Sequence, residues 1–459
     1  MVRKQLAKRS IFTSNIAFII AGAASAVGLG NLWRFPYLSA KYGGGTFLFV
    51  YMVLVATAGI SYLLLENAIG RKTGMSVVGA FKYFSKKYAI VGWIHAAIPF
   101  LIVGYYFIIG GWVLKYIFSY LTLDASVMAD GGGFFSGFIT GNFESYVFAL
   151  LFAGIVIASV SLGLRFLEKI NLVMLAGLLI IALAIAGFTI SQPGAIEGVM
   201  FYLSPDVSKI SLELVLAAMG QMFFSLSLAM GIMFTYGSYT RKKDNMVKNA
   251  GSIVVFDFGI SFLAGLVIVP ASFLALGSPE AVSSTAGPSL MFIVLPEVFE
   301  GFGSAGNIIG FLFFILVAFA ALTSAISLIE TVVSIAVDQS HKSRNLCIAV
   351  LSVLLLFAMM FINSGYNLLS ALQPLGPGSS LLDLFDFVSN AILMPIAALL
   401  TCVIFGWVVG LKQIIAEIKS SAEFKLCSAW IVMIKYIVPI VVFGVWVSNI
   451  ASTFGIISL

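Results

Sequence analysis

The sequence is short of charge, histidine and cysteine. Aspartate, glutamate, lysine and arginine make up 10% of its 459 residues, against about 25% in a soluble globular chain. Hydrophobic residues make up 61%, and the mean hydropathy is +1.10. No water-soluble core could hide that much apolar surface, which excludes a soluble fold and leaves a polytopic membrane protein. The two histidines, His95 and His341, and the three cysteines, Cys347, Cys402 and Cys427, share no metal-ligand spacing and no obvious pairing. No ring of repeated charges or filter-like motif points to a channel. Tyr106 and Ser227 have no histidine or lysine partner among the polar residues of the spans, so an intramembrane enzyme is not expected either.

About 20 mostly apolar residues are needed to cross the hydrocarbon. Eleven stretches qualify: 12–38, 45–70, 90–121, 143–163, 166–190, 211–239, 249–275, 305–338, 345–363, 380–410 and 429–455. Several exceed the minimum, which implies tilted or interrupted helices. Two shorter apolar pieces, 287–302 and 366–376, are expected to cap one face as re-entrant or surface loops. The start, "MVRKQLAKRS" followed by an apolar run and "AGAASA", imitates a signal peptide. Apolar, patterned sequence continues well past that site, so the segment reads as the first span.

Basic residues set the orientation. Most of the 25 fall in alternate loops: Arg3, Lys4, Lys8 and Arg9 at the start, then clusters in 71–87 and 240–248. The opposite loops are acidic or neutral. The positive-inside rule places the N-terminus in the cytoplasm, an odd span count places the C-terminus outside, and the cell (inner) membrane is the expected location. The net charge of +6 then reports topology, and no nucleic-acid partner is expected.

Ionisable groups inside spans are costly and are functional candidates by default. Here they include Arg34, Glu66, Asp257, Glu330, Asp383 and Asp386. Asn31, Tyr106, Gln221, Ser225, Ser227, Ser261, Thr323 and Ser324 add uncharged polarity from the first, third, sixth, seventh and eighth spans. One interior site would gather them. For some, a second reading stays open: Thr323 and Ser324 can bond their own helix backbone, and Glu330 can pair with a basic loop residue. Asp257 is harder to explain that way, because "SIVVFDFGISFLAG" places it mid-span with no lysine or arginine nearby. A buried carboxylate must find a cation, a proton or several donors, and a bound metal cation would serve.

Two spans are interrupted. "AVGLGNLWRFPY" at 26–37 breaks the first with two glycines, an asparagine, an arginine and a proline. "AAMGQMFFSLSLAMGIMFTYGSY" breaks the sixth with Gly220, Gly231 and Gly237 around Gln221, Ser225 and Ser227. An unwound segment frees carbonyls and amides that hydrocarbon would punish but a ligand can satisfy. Half-helix N-termini attract a carboxylate, and freed carbonyls suit Na⁺. One site can then hold a zwitterion and its driving ion together.

"SAVGLGNLWRFPYLSAKYGGGTF", "GQMFFSLSLAMG", "FAALTSAISLIE" and "LLDLFDF" resemble the hallmark segments of the neurotransmitter:sodium symporter family, which includes bacterial amino-acid transporters such as the leucine transporter. The likeness runs in the family's order over 9–410. It implies an all-α polytopic membrane protein of two inverted five-helix repeats, about 9–190 and 211–410, within a core of 1–410. Helices 1 and 6 are the broken ones. The repeat comes from the family's known fold; no internal sequence identity supports it independently. A cytoplasmic loop and an eleventh helix occupy 411–459, one helix fewer than is usual in the family, which leaves the oligomeric state open.

The resemblance implies a sodium-coupled symporter that imports a neutral hydrophobic L-amino acid, aromatic ones included, by alternating access. The amides of Leu29 and Gly30 and the Tyr106 hydroxyl would meet the substrate carboxylate. Carbonyls of Ala26, Phe224 and Ser225 and the Ser227 hydroxyl would meet its amino group. Two Na⁺ are implied. The first would take the Ala26 carbonyl, Asn31, Ser225, Asp257 and the substrate carboxylate. The second would take carbonyls of Ala24, Val27 and Ala320 with the hydroxyls of Thr323 and Ser324. Gly28 stands where monoamine carriers of the family have aspartate, which leaves room for the substrate's own carboxylate.

Ile102, Phe224, Met230 and Leu328, with small Ala229 and Ala325, would line an apolar side-chain pocket, and Met230 is flexible. Tyr51, Gln221, Ser225 and Ser261 match the chloride positions of relatives, but Asp257 supplies a fixed negative charge beside them. Like charges about 4–5 Å apart cost roughly 3–4 kcal/mol at an effective dielectric constant near 20, so chloride is not expected to be required. Arg34 and Asp386 would form the outer gate. Arg9 and Asp338 would form the inner one, with Tyr239 nearby and Phe12 where tryptophan is usual. Val173 replaces the proline that relatives carry in helix five. The alternative on the same fold is a sodium-coupled carrier of a small amino acid or betaine-like osmolyte.

Overall fold

The computed structural model describes residues 11–124, 126–276 and 289–453, and no strand occurs among them. The chain builds α1 (Asn15–Ala26), α2 (Gly30–Lys41), α3 (Gly45–Thr73), α4 (Lys86–Leu121), α5 (Glu144–Ser161), α6 (Leu164–Ile190), α7 (Leu212–Ser225) and α8 (Ile232–Ser238). It continues through α9 (Met246–Leu276), α10 (Gly303–Ser340), α11 (Arg344–Tyr366), α12 (Leu381–Val408) and α13 (Cys427–Thr453). Among the described residues, nine helices are long and apolar enough to cross a bilayer, and α1 with α2 makes a tenth span bent by 55°. Neither α7 nor α8 can span alone; in series they cover the sixth expected span. Every expected span therefore corresponds to a helix or a broken helix.

Between spans, the short apolar piece at 287–302 contains helical turns over Leu290–Val294 and Leu295–Glu300, with Leu290, Met291 and Phe292 buried. Phe292 packs edge-on against Trp112 and at a tilt against Tyr116 of α4. The piece at 366–376 is mostly turn. Helix α6 runs unbroken past Val173 to Ile190.

Helix starts follow the local sequence. Ser14 caps α1 by accepting from the Ala17 N–H, and Ser211 caps α7 by accepting from Leu214. At the start of α12, Ser380 and Asp383 form a reciprocal capping box, with the Asp383 carboxylate accepting the Ser380 N–H at 2.7 Å. Asp383 is thereby explained as a cap. Close packing relies on glycine where backbones meet: a Cβ on Gly70 would lie 2.0 Å from the Phe234 carbonyl, and one on Gly237 2.4 Å from that of Asn67. These contacts pin α8 against α3.

The end that carries the basic loops is knotted by charge. Glu330 pairs with Arg344 at 2.5 Å and accepts from the Tyr239 hydroxyl at 2.9 Å, so its partner is the basic first residue of α11. Asp338 accepts from both the N–H and the hydroxyl of Ser76, at 2.7 and 2.6 Å. Arg9, its expected gate partner, lies outside the described residues. Phe12 packs edge-on against Phe18, Tyr236 and Tyr239.

Arg71, at the end of α3, is nearly fully buried. It donates to the Glu417 carboxylate at 2.8 Å, to the Ser421 hydroxyl at 2.8 Å and to the Asp244 carbonyl at 3.0 Å. Lys242 reaches the same Glu417 oxygen at 2.7 Å. Burial pushes the Glu417 carboxyl up, but the Lys242 hydrogen bond and the Arg71 and Lys242 charges outweigh it and hold the group below the usual range. The amphipathic helix Lys412–Lys419 is thus clamped to α3 and to the loop after α8.

Breaking a buried ion pair from one side costs about 3–5 kcal/mol, whereas an exposed pair is worth about 0–1 kcal/mol. Arg71→Ala should therefore lower the thermal unfolding midpoint in detergent far more than Lys242→Ala does. Equal shifts would show that Arg71 is not the hub.

Candidate functional site

The two breaks face each other and are sewn together. Between α1 and α2, Val27 is extended. Between α7 and α8, Ser227, Ala229 and Gly231 all have positive φ, at 53°, 59° and 75°. Such a conformation is costly for a residue with a side chain and persists only when the surroundings fix it. Here the Ser227 hydroxyl donates to the Ser25 carbonyl at 2.9 Å, and the Ala229 N–H donates to the buried Glu66 carboxylate at 3.0 Å. Glu66 is accounted for as the anchor of the sixth span's break.

A cavity of about 30 Å³ lies between the breaks, and all ten residues expected to contact substrate line it. Its polar end carries the Leu29 N–H, which donates to the Tyr106 hydroxyl at 3.3 Å. Ile102, Met230 and Leu328 form the apolar end. Ile232, which sequence reasoning missed, joins them as the first residue of α8. The available signal was its place next to Gly231, two residues beyond Met230.

Gly28 and Gly30 are set by space. A Cβ on Gly28 would lie 2.7 Å from the Ser324 hydroxyl, and one on Gly30 would lie 2.5 Å from the Phe224 ring. The cavity has about the volume of one water molecule, and the Phe224 ring is its outer wall. Beyond that ring opens a second cavity of about 580 Å³, whose lining includes Arg34, Tyr106, Phe224 and Asp386. Arg34 stands 5.9 Å from the Phe224 ring centre, and Asp386 accepts from Tyr105 at 3.0 Å and Asn390 at 2.6 Å. The two expected outer-gate residues share this cavity, but no direct ion pair joins them among the described residues.

The expected ion ligands form two clusters. In the first, the Asn31 amide donates to Asp257 at 2.8 Å, to Ser225 at 2.9 Å and to Ser261 at 2.8 Å. Ser225 donates to the same carboxylate at 2.5 Å, and Tyr51 to its other oxygen at 3.2 Å. Gln221 departs from this group and donates to the Gly30 carbonyl at 3.1 Å. In the second cluster, Ser324 donates to the carbonyls of Val27 at 3.1 Å and Ser25 at 3.3 Å. Thr323 bonds its own helix at the Ala320 and Phe319 carbonyls, the local pattern open to such a residue. Ala24 is fully buried in the last turn of α1. Carbonyl, hydroxyl, amide and carboxylate oxygens suit a hard cation. No group of three or more histidine, cysteine, aspartate or glutamate side chains assembles among the described residues.

A profile of the sodium:neurotransmitter symporter family matches residues 9–128 and 138–456. The chain is a member of the sodium:neurotransmitter symporter family. This symporter is 32% identical to an uncharacterised sodium-dependent transporter of Bacillus subtilis (strain 168), over 96% of its own length and 97% of the relative's. It is 25% identical to the human sodium- and chloride-dependent GABA transporter 2, covering 91% of this chain and 76% of that one. Among solved structures, the crystal structure of MhsT in complex with L-phenylalanine matches with a TM-score of 0.85 and 33% identity, over 96% of this chain and 100% of that one. The protein is thus a sodium-dependent, multi-span membrane transporter of all-α fold.

Asp257 is the one carboxylate among the expected ion ligands, and Asn31, Ser225 and Tyr51 gather on it. Asp257→Ala should raise the Na⁺ concentration for half-maximal substrate binding by about tenfold or more, a loss of about 1.4 kcal/mol, and Ser324→Ala should raise it less. An unchanged Na⁺ titration for Asp257→Ala would remove this cluster from ion binding.

Proposed function

We propose that this symporter imports a neutral hydrophobic L-amino acid, aromatic ones included, together with two Na⁺ and without chloride. The carrying observation is a single cavity between two helix breaks, polar at one end and apolar at the other. The N-terminus of α2 offers the Leu29 and Gly30 amides to a carboxylate, with the Tyr106 hydroxyl beside them. The C-terminal ends of α1 and α7 offer the Ala26, Phe224 and Ser225 carbonyls, with the Ser227 hydroxyl, to an amino group. A Na⁺ held by Ala26, Asn31, Ser225 and Asp257 would share the substrate carboxylate, so ion and substrate each strengthen the other's binding. A second Na⁺ on Ala24, Val27, Ala320, Thr323 and Ser324 would tie α1 to α10.

No aspartate, glutamate, lysine or arginine among the described residues lines the cavity, so a charged side chain would find no counter-charge. The likeness to MhsT, whose crystal structure holds L-phenylalanine, supports an aromatic guest. At about 30 Å³ the cavity is too small for glycine or betaine as well as for a larger amino acid, so any of these substrates needs a wider cavity. Movement of the Phe224 ring and the Met230 side chain is the route to a larger one.

Chloride independence rests on Asp257, which accepts from Tyr51 and Ser225 where a halide would otherwise sit. Arg34 with Asp386 would close the outer side, and Arg9 with Asp338 the inner. The reading includes inverted repeats over about 9–190 and 211–410, a cytoplasmic N-terminus and insertion in the inner membrane.

A Na⁺-dependent binding screen across the twenty amino acids and betaine should select an apolar amino acid; selection of glycine, betaine or a charged residue would overturn the substrate class. Replacing chloride by gluconate should leave uptake unchanged, and its loss would place a halide beside Asp257. Ile232→Ala should raise the tryptophan-to-leucine binding ratio about tenfold, the scale of a few methylenes in an apolar pocket. An unchanged ratio would exclude Ile232 from the pocket wall.

A further inference from the structure

Lys435 is a cation inside a span that the transport chemistry leaves unused. It lies in α13 about 12 Å along the axis from Cys427, at 1.5 Å rise per residue. It makes no ion pair with any described acidic residue. Its ammonium sits 5.1 Å from the centre of the Trp407 ring. The Trp407 indole N–H donates to the Lys435 carbonyl at 3.2 Å, and the same ring meets Tyr436 edge-on at 5.2 Å. Helices α12 and α13 each widen into a π-type turn here, over Ile404–Val408 and Met433–Ile437, and the two turns pack on each other. Such turns are uncommon and concentrate at functional sites.

This face looks out of the protein. Trp407 is 54% and Tyr436 46% exposed, and the apolar side chains of Val408 and Ile437 beside them are exposed as well. Because α12 ends at Val408, Trp407 and the ammonium over it lie within a turn of the end of that span, the level at which tryptophan and lysine meet headgroups. A lysine at that level extends its apolar stem and presents its charge to the headgroup layer. Phe405 packs against Phe84 at 5.0 Å, which brings the exposed pair Lys86 and Lys87 to the same end of the molecule.

We propose that the α12–α13 face around Trp407, Lys435 and Tyr436 binds the headgroup phosphate of an anionic phospholipid in the leaflet on the side of the basic loops. The indole face covers one side of the ammonium and leaves its remaining N–H groups without a carboxylate to meet. A lipid phosphate at the boundary supplies the missing charge. A headgroup with no cation of its own is preferred, because a choline would oppose Lys435 and add to the positive charge that Lys86 and Lys87 bring to this end of the molecule.

The full-length transporter, carried in nanodiscs of mixed phosphatidylcholine and phosphatidylglycerol, tests this when retained lipids are counted by native mass spectrometry. Wild type should retain phosphatidylglycerol about fivefold over its share of the mixture. Lys435→Gln should lose that preference and Lys435→Arg should keep it, both with Na⁺-dependent substrate binding intact. If Lys435→Gln does not fold, Trp407→Leu is read in its place, with a reduced preference expected. Retention of the two lipids in proportion to the mixture by wild type, or an undiminished preference in the folded variant, overturns the proposal.

Discussion

A carboxylate placed mid-membrane must be surrounded by donors or cations, and Asp257 sets the arrangement of the centre for that reason. Its partners come from α2 through Asn31, from α3 through Tyr51 and from α7 through Ser225. Four spans therefore meet at one charge carried by α9. The geometry cannot relax without exposing a carboxylate to hydrocarbon, which is far costlier than any single contact around it. The same donors that quiet Asp257 are oxygen or amide groups that a cation can also recruit. A site that is stable without its ion and receptive to it can be built this way, because the ion replaces hydrogen bonds instead of entering an empty shell.

The helix breaks depend on that centre. Broken helices in hydrocarbon leave backbone groups unpaired, and here the other broken span and α10 pair them: Ser227 with the Ser25 carbonyl, Gln221 with the Gly30 carbonyl, and Ser324 of α10 with the Val27 carbonyl. Glu66 secures Ala229 in a left-handed conformation that the chain would otherwise leave. The ends of α1, α2, α7 and α8 are held around a small cavity, with the Phe224 and Met230 side chains among its walls. Rigidity at the polar end and adjustability at the apolar end are what a carrier needs if it is to fix the amino-acid backbone and tolerate different side chains.

Most of this centre was legible because its signals are local. Gly28, Gly30 and Asn31 sit within four residues of one another, and Gln221, Ser225 and Ser227 within one helical repeat, so the anomalies announce themselves against an apolar background. What escaped depends on distant partners. Glu330 stayed open between a structural and a functional reading until Arg344 came within 2.5 Å. Asp383 looked like a membrane charge but caps α12. Arg71 read as one basic loop residue among several, and only folding shows it nearly buried against Glu417, which lies more than 300 residues later. Ile232 carries no polar flag, and its only signal was its place beside Gly231, just past Met230. Gln221 fell in the expected set but turned toward the backbone, since a long amide can reach either partner and sequence does not choose.

The two ends of the molecule are unequal, and the inequality says what the transport cycle has to overcome. On the side away from the basic loops, a cavity of about 580 Å³ reaches down to Phe224, and Arg34 and Asp386 line it without an ion pair between them. On the side of the basic loops, closure rests on many charge-assisted bonds. Arg71 is tied to Glu417, Glu330 to Arg344 and Tyr239, and Asp338 to Ser76. Glu168 holds both the N–H and the hydroxyl of Thr13, and Arg241 holds its carbonyl. Hydrogen bonds with one ionised partner are roughly twice as strong as neutral ones, so opening this side requires losing several strong bonds together. A ligand shifts such an equilibrium only by its difference in affinity for the two states. Substrate and Na⁺ must therefore bind better in the state that opens the side of the basic loops, by enough to offset the strength of the bonds that close it.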